Sequence, residues 1–243
     1  MKAMILCAGL GTRLRPWTLT HPKALVPVAG VPMLKRVAER LASYGFDELF
    51  LNVHHFSSQI VDYVSCGMLD PCKVNISDET DALLDTGGGI LKAAAMLTVD
   101  GFPFLVHNVD IISDADLSAL YQDHCSSGCD VTLLVSDRNS DRKLIFDPAM
   151  RLKGWVNRKS LATRPADLRI NDADTALAFS GIYVMSADVP AKMARHGFSG
   201  AFPVMDFFLA GLDDVSIRGV CQKGLRIIDI GKTDTLRLAD SML

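Results

Sequence analysis

Long hydrophobic runs are missing from this chain of 243 residues. No stretch approaches the roughly 20 consecutive apolar residues that a membrane-spanning helix needs. The apolar run at residues 3–8 is short and is soon followed by Arg13 and Arg15, which is unlike a secretion signal. We therefore expect a cytoplasmic protein with no membrane partner.

An excess of either charge is also missing. The 25 basic residues nearly balance the 28 acidic ones, for a formal net charge of -3, so we expect no nucleic acid partner. The first 40 residues differ, because they hold Glu39 as their one acidic side chain. This local positive field suits a small polyanion, although the last three of its basic residues also fit the solvated face of a helix: Lys2, Arg13, Arg15, Lys23, Lys35, Arg36 and Arg40.

Cysteine pairs with metal-site or redox spacing are missing as well. The six cysteines contain no Cys-x-x-Cys motif, so we interpret them as reduced thiols. His54 and His55 are adjacent on an extended segment and point to opposite faces, which disfavours a shared metal ion.

What is present is an alternation of apolar strands and amphipathic helices. Crossovers of helical length favour parallel strand pairing, and a chain of this size fits one domain. The sequence therefore predicts a single α/β domain, Rossmann-like, with a mixed, mainly parallel sheet flanked by helices and more antiparallel character in its second half. We expect strands near residues 3–8, 48–53, 73–77, 102–110, 130–136, 143–147, 152–156 and 177–184, and helices near 34–44, 58–64 and 90–97.

A glycine loop follows the first predicted strand. Gly9 and Gly11 allow a tight turn whose backbone N–H groups can point at one anion, and Arg13 and Lys23 follow within fifteen residues. Guanidinium and ammonium groups recognise phosphate oxygens. The loop thus predicts a phosphate-binding site, and a strand–turn without a ligand is the alternative.

Two further features fit a nucleotide site. Three glycines, 87–89, precede the predicted helix at 90–97 and would expose backbone groups to a base; close packing of a helix end on a strand is the alternative. Asp110 ends an apolar strand, where ligands bind in open α/β sheets, although such an aspartate is also typical of a turn or helix cap.

These motifs together resemble the sugar-1-phosphate nucleotidyltransferase family, and within it the short uridylyl- and guanylyltransferases. The resemblance lies in residues 9–16 with 22–28, in the glycine cluster before Ile90, in residues 179–182 and in the string 227–233 around Asp229. It implies an enzyme that condenses a nucleoside triphosphate with a sugar 1-phosphate, using Mg²⁺, to give an NDP-sugar and pyrophosphate.

The resemblance also implies a role for individual residues. Arg13 and Lys23 would act on the phosphates in catalysis, Asp110 and Asp229 would hold the metal, and residues 1–136 and 137–243 would form a nucleotide-binding and a sugar-phosphate-binding half. The expected nucleotide-binding residues are Ala8, Gly9, Gly11, Thr12, Arg13, Gly88 and Gly89, and the expected sugar-phosphate-binding residues are Asn108 and Gly181.

The chain departs from the family pattern at two places. Val109 replaces the usual small residue before Asp110, and the family's Glu-Lys-Pro tripeptide is replaced near residues 155–160, where Arg158 or Lys159 could supply a positive charge. These departures keep two alternatives open: a catalytically silent sugar-nucleotide sensor, and a cytidylyltransferase acting on another phosphorylated alcohol. A dehydrogenase is disfavoured because the third glycine of its motif is absent. Base, sugar and oligomeric state stay open, with a homodimer as one option.

Overall fold

The computed structural model describes residues 1–231 together with Thr235 and Ala239. A short helix is also predicted at residues 236–242; apart from Ala239, which is helical and buried, it lies outside the described residues. The family string around Asp229 is described as far as Gly231.

Strands and helices alternate through the first half of the chain, and strands dominate the second. The strands are β1 (Lys2–Leu6), β2 (Pro27–Val28), β3 (Val31–Pro32), β4 (Glu48–Val53), β5 (Lys73–Asp78), β6 (Phe104–Asn108), β7 (Ile111–Ser113), β8 (Val131–Ser136), β9 (Arg142–Phe146), β10 (Leu152–Asn157), β11 (Thr163–Arg164), β12 (Thr175–Met185), β13 (Ile217–Cys221) and β14 (Ile227–Asp229). The helices are α1 (Met33–Ser43), α2 (Ser57–Ser65), α3 (Asp85–Leu97), α4 (Leu117–Ser127), α5 (Val189–Arg195) and α6 (Val204–Ala210), with 3-10 turns at Thr12–Leu14, Trp17–Leu19 and Lys23–Leu25.

The first half builds a parallel sheet in the order β6-β1-β4-β5. The strand β1 pairs in parallel with β4 and β6, and β4 pairs in parallel with β5. Each crossover is long enough to carry a helix, as parallel pairing requires. The carboxyl ends of these strands meet at one edge, which is where ligands bind in such sheets.

The second half adds antiparallel strands through β12. This strand pairs antiparallel with β6 on one side, and with β8 and β9 through different parts of its length. The strands β10 and β11 extend the sheet beyond β9, and β13 joins β8 in parallel. The structure thus confirms an α/β fold with a mixed sheet, and every antiparallel pair of strands in that sheet includes a strand from the second half.

The helices cover both faces of the sheet, and the apolar side chains of β1 point alternately to one face and to the other. Ala3 and Ile5 join a core cluster with α1, α2 and α4. Met4 and Leu6 join a second cluster with α3, α5 and α6. A strand that is buried on both faces reads as a continuous apolar run, which explains why the run at residues 3–8 predicts β1.

Two helices have starts that particular residues define. The helix α3 begins at Asp85, so glycines 87–89 lie inside its first turns; the expectation that they precede the helix is wrong. The helix α4 is capped by Asp116, whose side chain accepts a hydrogen bond from the Ala119 N–H at 2.8 Å. Within the described residues, no helix is both long and apolar enough to cross a bilayer.

Candidate functional site

The glycine loop after β1 is folded back onto Lys23. Gly11 has a φ of +61°, in the left-handed region, and its carbonyl oxygen accepts a hydrogen bond from the Thr18 hydroxyl at 2.9 Å. A Cβ on Gly11 would lie 2.9 Å from the Cβ of Lys23 and from the Thr18 methyl group. Glycine is therefore required here both by the backbone conformation and by close packing.

Lys23 forms an ion pair with Asp110. Its ammonium group donates to one carboxylate oxygen, and each side chain is only 13% exposed. The sequence predicts both residues for the site, and the structure places them in contact although 87 positions separate them.

The second predicted metal ligand, Asp229, lies beside Asp110. Asp110 immediately precedes β7, and Asp229 ends β14, where it pairs with Ile111 in an antiparallel ladder. The Ile230 N–H donates to the Asp110 carbonyl oxygen at 2.8 Å. This small two-stranded sheet thus brings the backbones of the two aspartates next to each other.

The donor set fits Mg²⁺. This ion takes one or two carboxylates and draws its remaining ligands from phosphates and water. Asp110 and Asp229 provide two carboxylates, and a lysine ammonium already partners the first of them. No group of three or more His, Cys, Asp or Glu side chains suited to a metal occurs among the described residues, so substrate oxygens would have to complete the shell.

Of the two aspartates, Asp229 is the one that Arg13 lies close to. An added Cβ on Gly231 would meet Nη2 of Arg13 at 2.5 Å and Oδ1 of Asp229 at 2.6 Å. The Gly231 N–H also donates to Asp229 Oδ1 at 2.7 Å. The absence of a side chain at Gly231 is what allows the guanidinium and the carboxylate to approach the same point.

A cavity of about 270 Å³ opens beside the glycine loop, and all of its lining residues that the structure describes come from residues 1–136. Five predicted site residues line it: Ala8, Gly9, Lys23, Asn108 and Asp110. The other lining residues are Leu6, Asn52, Leu83, Asp85 and Thr86, which the motifs did not indicate. The predicted residues Gly11, Thr12 and Arg13 belong to the adjoining loop.

Asn52 is the most informative of the residues that the motifs missed. Its side-chain oxygen accepts from the Cys7 N–H at 2.7 Å, and its amide donates to Glu79 at 2.9 Å. Glu79 is fully buried, and burial raises the pKa of its carboxyl. An amide inside the apolar strand at residues 48–53 is the sequence signal that could have found this network.

Gly88 and Gly89 are buried against protein rather than lining the cavity. A Cβ on Gly88 would lie 2.1 Å from the Gly200 carbonyl oxygen, and a Cβ on Gly89 would lie 2.7 Å from Glu79 Oε1. The Gly87 N–H donates to the Phe202 carbonyl at 2.9 Å. Close packing therefore requires these glycines, and their contact with a nucleotide stays a prediction.

Asn108 and Gly181 are brought together at the bulge of β12. Gly181 has a φ of +77°, and its Cβ would lie 2.7 Å from the Asn108 amide nitrogen. The ladder between β12 and β8 shifts register between Phe179 and Tyr183. A glycine bulge is thus what lets Asn108 reach across β12.

The described lining of a larger cavity, of about 510 Å³, comes from residues 138–229. Asp229 lines it, together with four basic side chains that the motifs did not indicate: Arg138, Arg142, Lys143 and Arg164. Arg158 and Lys159, which the sequence suggested as a source of positive charge, are not among its lining residues in the described structure. The remaining lining residues are Ser140, Leu144, Trp155, Phe179, Pro203, Met205, Asp206 and Leu209.

Comparison with known proteins yields one family and several relatives. The family described as nucleotidyl transferase matches residues 2–144. An N-acetylmuramate alpha-1-phosphate uridylyltransferase of Neisseria meningitidis serogroup B is 42% identical over 122 residues, which cover 50% of this chain and 52% of the relative. The chain therefore spans about half the length of that curated relative.

Two further similarities extend over nearly the whole chain. A Caulobacter vibrioides protein with the same name is 29% identical over 230 residues, covering 92% of this chain and 89% of the relative. The crystal structure of HddC from Yersinia pseudotuberculosis complexed with GMP-PN superposes with a TM-score of 0.75 at 22% identity, covering 99% of this chain and 98% of that one. The structural likeness supports the α/β fold.

Proposed function

Because this chain belongs to the nucleotidyl transferase family, we propose that it condenses a nucleoside triphosphate with a sugar 1-phosphate. An oxygen of the sugar 1-phosphate attacks the α-phosphorus in line. The bond from the α-phosphorus to the oxygen bridging to the β-phosphate breaks, and pyrophosphate leaves with that electron pair. The products are an NDP-sugar and pyrophosphate.

The observation that carries this proposal is the position of the two carboxylates. Asp110 lines the cavity formed by residues 1–136, Asp229 lines the cavity formed by residues 138–229, and the pairing of β7 with β14 joins them. A reaction between two phosphorylated substrates needs both to meet at one point. We assign the nucleotide to the smaller cavity and the sugar phosphate to the larger one.

Charge neutralisation explains the residues at the meeting point. The attacking phosphate oxygen is already ionised, so no side chain has to remove a proton from it. Lys23 would hold the α-phosphate and the incoming phosphate, and Arg13 would hold the phosphates that leave. Fixed cations that meet charge as it develops are the main source of rate in such transfers.

Mg²⁺ fits this mechanism at Asp110 and Asp229. Bound there, the ion would neutralise phosphate oxygens and help orient the triphosphate. Lys23 would then also have to release Asp110, because the ammonium group of Lys23 is paired with that carboxylate in the structure.

The names of the two relatives suggest which substrates to test first. Both are uridylyltransferases acting on N-acetylmuramate alpha-1-phosphate. We therefore propose UTP with N-acetylmuramate 1-phosphate as the leading pair.

The decisive experiment measures pyrophosphate release with Mg²⁺. Four nucleoside triphosphates are crossed with the 1-phosphates of glucose, mannose, N-acetylglucosamine and N-acetylmuramic acid. We expect release that requires one sugar phosphate and stops when EDTA removes the metal. Tight binding of a triphosphate without release from any pair would instead favour a sugar-nucleotide sensor.

A carboxylate variant tests the site itself. Asp229→Ala should fold as the wild type does and lose at least about a hundredfold in turnover, since it removes a ligand of the ion that stabilises the transition state. Asp172→Ala is the matched control because Asp172 is exposed and does not line either cavity. Equal rates for the two variants would remove Asp229 from the metal site.

A further inference from the structure

The larger cavity holds more cations than its carboxylates can neutralise. Four basic side chains line it, against Asp206 and Asp229. Asp206 is already engaged, because Arg164 donates to it at 2.8 Å. Asp229 lies at the end where we place the metal. Three basic side chains therefore face the cavity without a carboxylate partner: Arg138, Arg142 and Lys143.

Two of these three also bond the backbone of the cavity wall. Arg138 donates to the Phe179 carbonyl oxygen at 3.0 Å, and Lys143 donates to the Arg138 carbonyl oxygen at 2.8 Å. Lys143 is buried, and burial lowers the pKa of its ammonium. Lys143 is therefore fixed within the wall, and Arg138 uses one of its N–H donors on it.

Arg142 is the remaining cation, and its guanidinium is free. It makes no hydrogen bond or ion pair with any residue that the structure describes, while its backbone N–H is held by the Ser140 hydroxyl at 3.2 Å. The residue opens β9 and pairs with Asn157 of β10. A fixed backbone thus presents five unused N–H donors in a planar fork to the cavity.

The 1-phosphate of the sugar already has a cation assigned to it. Lys23, which we assign to the incoming phosphate, lies beside Asp110, where the phosphates must meet. The described lining of the larger cavity contains no asparagine or glutamine that would bond neutral hydroxyl groups. Its aromatic residues are Trp155 and Phe179. A free guanidinium in this lining matches a second anion on the sugar.

We infer that Arg142 is a specificity-determining residue that binds a carboxylate carried by the sugar of the sugar 1-phosphate. This inference rests on the proposed function. The guanidinium fork matches a carboxylate in a bidentate manner, and such charge-assisted bonds are stronger than bonds to neutral hydroxyls. A sugar that lacks the carboxylate would leave Arg142 without this partner.

Two sugar phosphates that differ in one group provide the test. N-acetylmuramate 1-phosphate carries a lactyl ether with a carboxylate, whereas N-acetylglucosamine 1-phosphate has a hydroxyl at that position and the same 1-phosphate. We expect Arg142→Met to lower kcat/KM for the first on the order of tenfold to a hundredfold, mainly through KM. The value for the second should not change.

The controls separate a lost contact from a damaged fold. Arg142→Lys should recover part of the loss, because it restores the charge without the fork. Arg158→Met removes the same charge from a residue outside the lining and should have no effect on either sugar. Unfolding curves of all three variants should overlay that of the wild type.

Several outcomes would overturn the inference. An equal fall for both sugars would assign Arg142 to the 1-phosphate or to the fold. Pyrophosphate release by the wild type with a neutral sugar, and none with the carboxylated one, would refute the inference and leave the proposed function standing. Silence with every pair would end the proposed function and this inference together.

Discussion

Lys23 contacts two other parts of the chain, the glycine loop and Asp110. Its side chain packs against Gly11 of the glycine loop, its ammonium contacts Asp110, and both it and Asp110 line the smaller cavity. The side chain is mostly shielded from solvent, so its charge acts at short range with little screening. That position suits a group that holds phosphate during transfer.

Replacing Lys23 should therefore affect chemistry more than folding. We expect Lys23→Met, which keeps the apolar stem, to lower kcat by about 10²–10³, because the cation that meets the developing charge is gone. The measurement is steady-state pyrophosphate release on the best substrate pair. Lys35→Met is the matched control, since Lys35 makes only a partly exposed pair with Glu39 at 3.8 Å; a kcat within threefold of that control would contradict the role.

Val109 shows how a departure from the family pattern is absorbed. Its side chain is 3% exposed and belongs to the core cluster that includes Ile111 and Ile228. Its N–H donates to the Leu6 carbonyl at 3.4 Å. The larger residue packs inward, while Asp110 keeps its place beside Lys23.

At the scale of elements, α3 is held by its glycines against the segment before α6. Gly87 and Gly88 approach the backbone of residues 200–202 so closely that a side chain on either would overlap it. The Val204 N–H also donates to the Thr86 hydroxyl at 2.9 Å. These contacts join the first half of the chain to the second, and Thr86 at the same place lines the smaller cavity.

Gly88→Ala tests whether packing is the reason for the glycine. Helix propensity alone would favour alanine by about 1 kcal/mol, whereas overlap with a backbone carbonyl typically costs roughly 1–3 kcal/mol. The overlap at 2.1 Å is severe, so we expect net destabilisation in urea unfolding. Gly9→Ala serves as the stability control, because no atom lies within 4 Å of its added Cβ; a more stable Gly88→Ala protein would argue against packing.

The pairing of β7 with β14 brings the chain at Asp110 next to the chain at Asp229. It is held at its other end by Asp114, which bonds the backbone and side chain of Arg226 at 2.8 and 2.7 Å. Asp114 thus serves this sheet, while Asp116 caps α4. Three-residue strands far apart in sequence give no periodic signal, so only the tertiary structure reveals the pairing.

At the scale of the whole molecule, the two cavities divide along the chain. The smaller is lined from residues 1–136 and the larger from residues 138–229. This division is compatible with a nucleotide half and a sugar-phosphate half, and the assignment of each ligand stays a proposal. Since one continuous sheet supports both, the two sites are held in fixed relation by β6 and β12.

The stability of the molecule should depend on pH through His124. This residue is 2% exposed and bonds Thr132 and Ser186 at 2.9 and 3.1 Å. Burial lowers its pKa to about 4, and this outweighs Asp123 and Asp130, which raise it. The unfolded chain, with a pKa near the ordinary value of about 6.5, binds a proton that the folded one does not.

Stability should therefore be complete above about pH 6.5 and fall as the pH drops toward 4. The contribution of His124 is up to about 1.4 kcal/mol per pH unit in that window. Urea unfolding between pH 4.5 and 7.5 should show a smaller slope for His124→Gln than for the wild type. His196→Gln, a change at an exposed histidine, should keep the wild-type slope; identical slopes for all three proteins would refute the assignment.

The local elements could be predicted from the amino-acid sequence alone. Strands β4 and β5 and helices α1 and α2 lie within about two residues of their predicted bounds, because their apolar periodicity and end residues are local properties. Gly11, Lys23 and Asp110 were predicted as site residues from contiguous motifs, and Asp229 from the family resemblance; their roles stay predictions.

The contacts that those residues make follow only from the three-dimensional fold. The start of α3, the burial of Gly88 and Gly89, the partner of Asp229 and the cation Arg142 in the larger cavity all depend on segments distant in sequence. Periodicity reports which face of an element is buried, but it carries no information about which element covers that face. For this reason the sequence predicted the phosphate chemistry, while the cavity to which we assign the sugar phosphate emerged only from the folded chain.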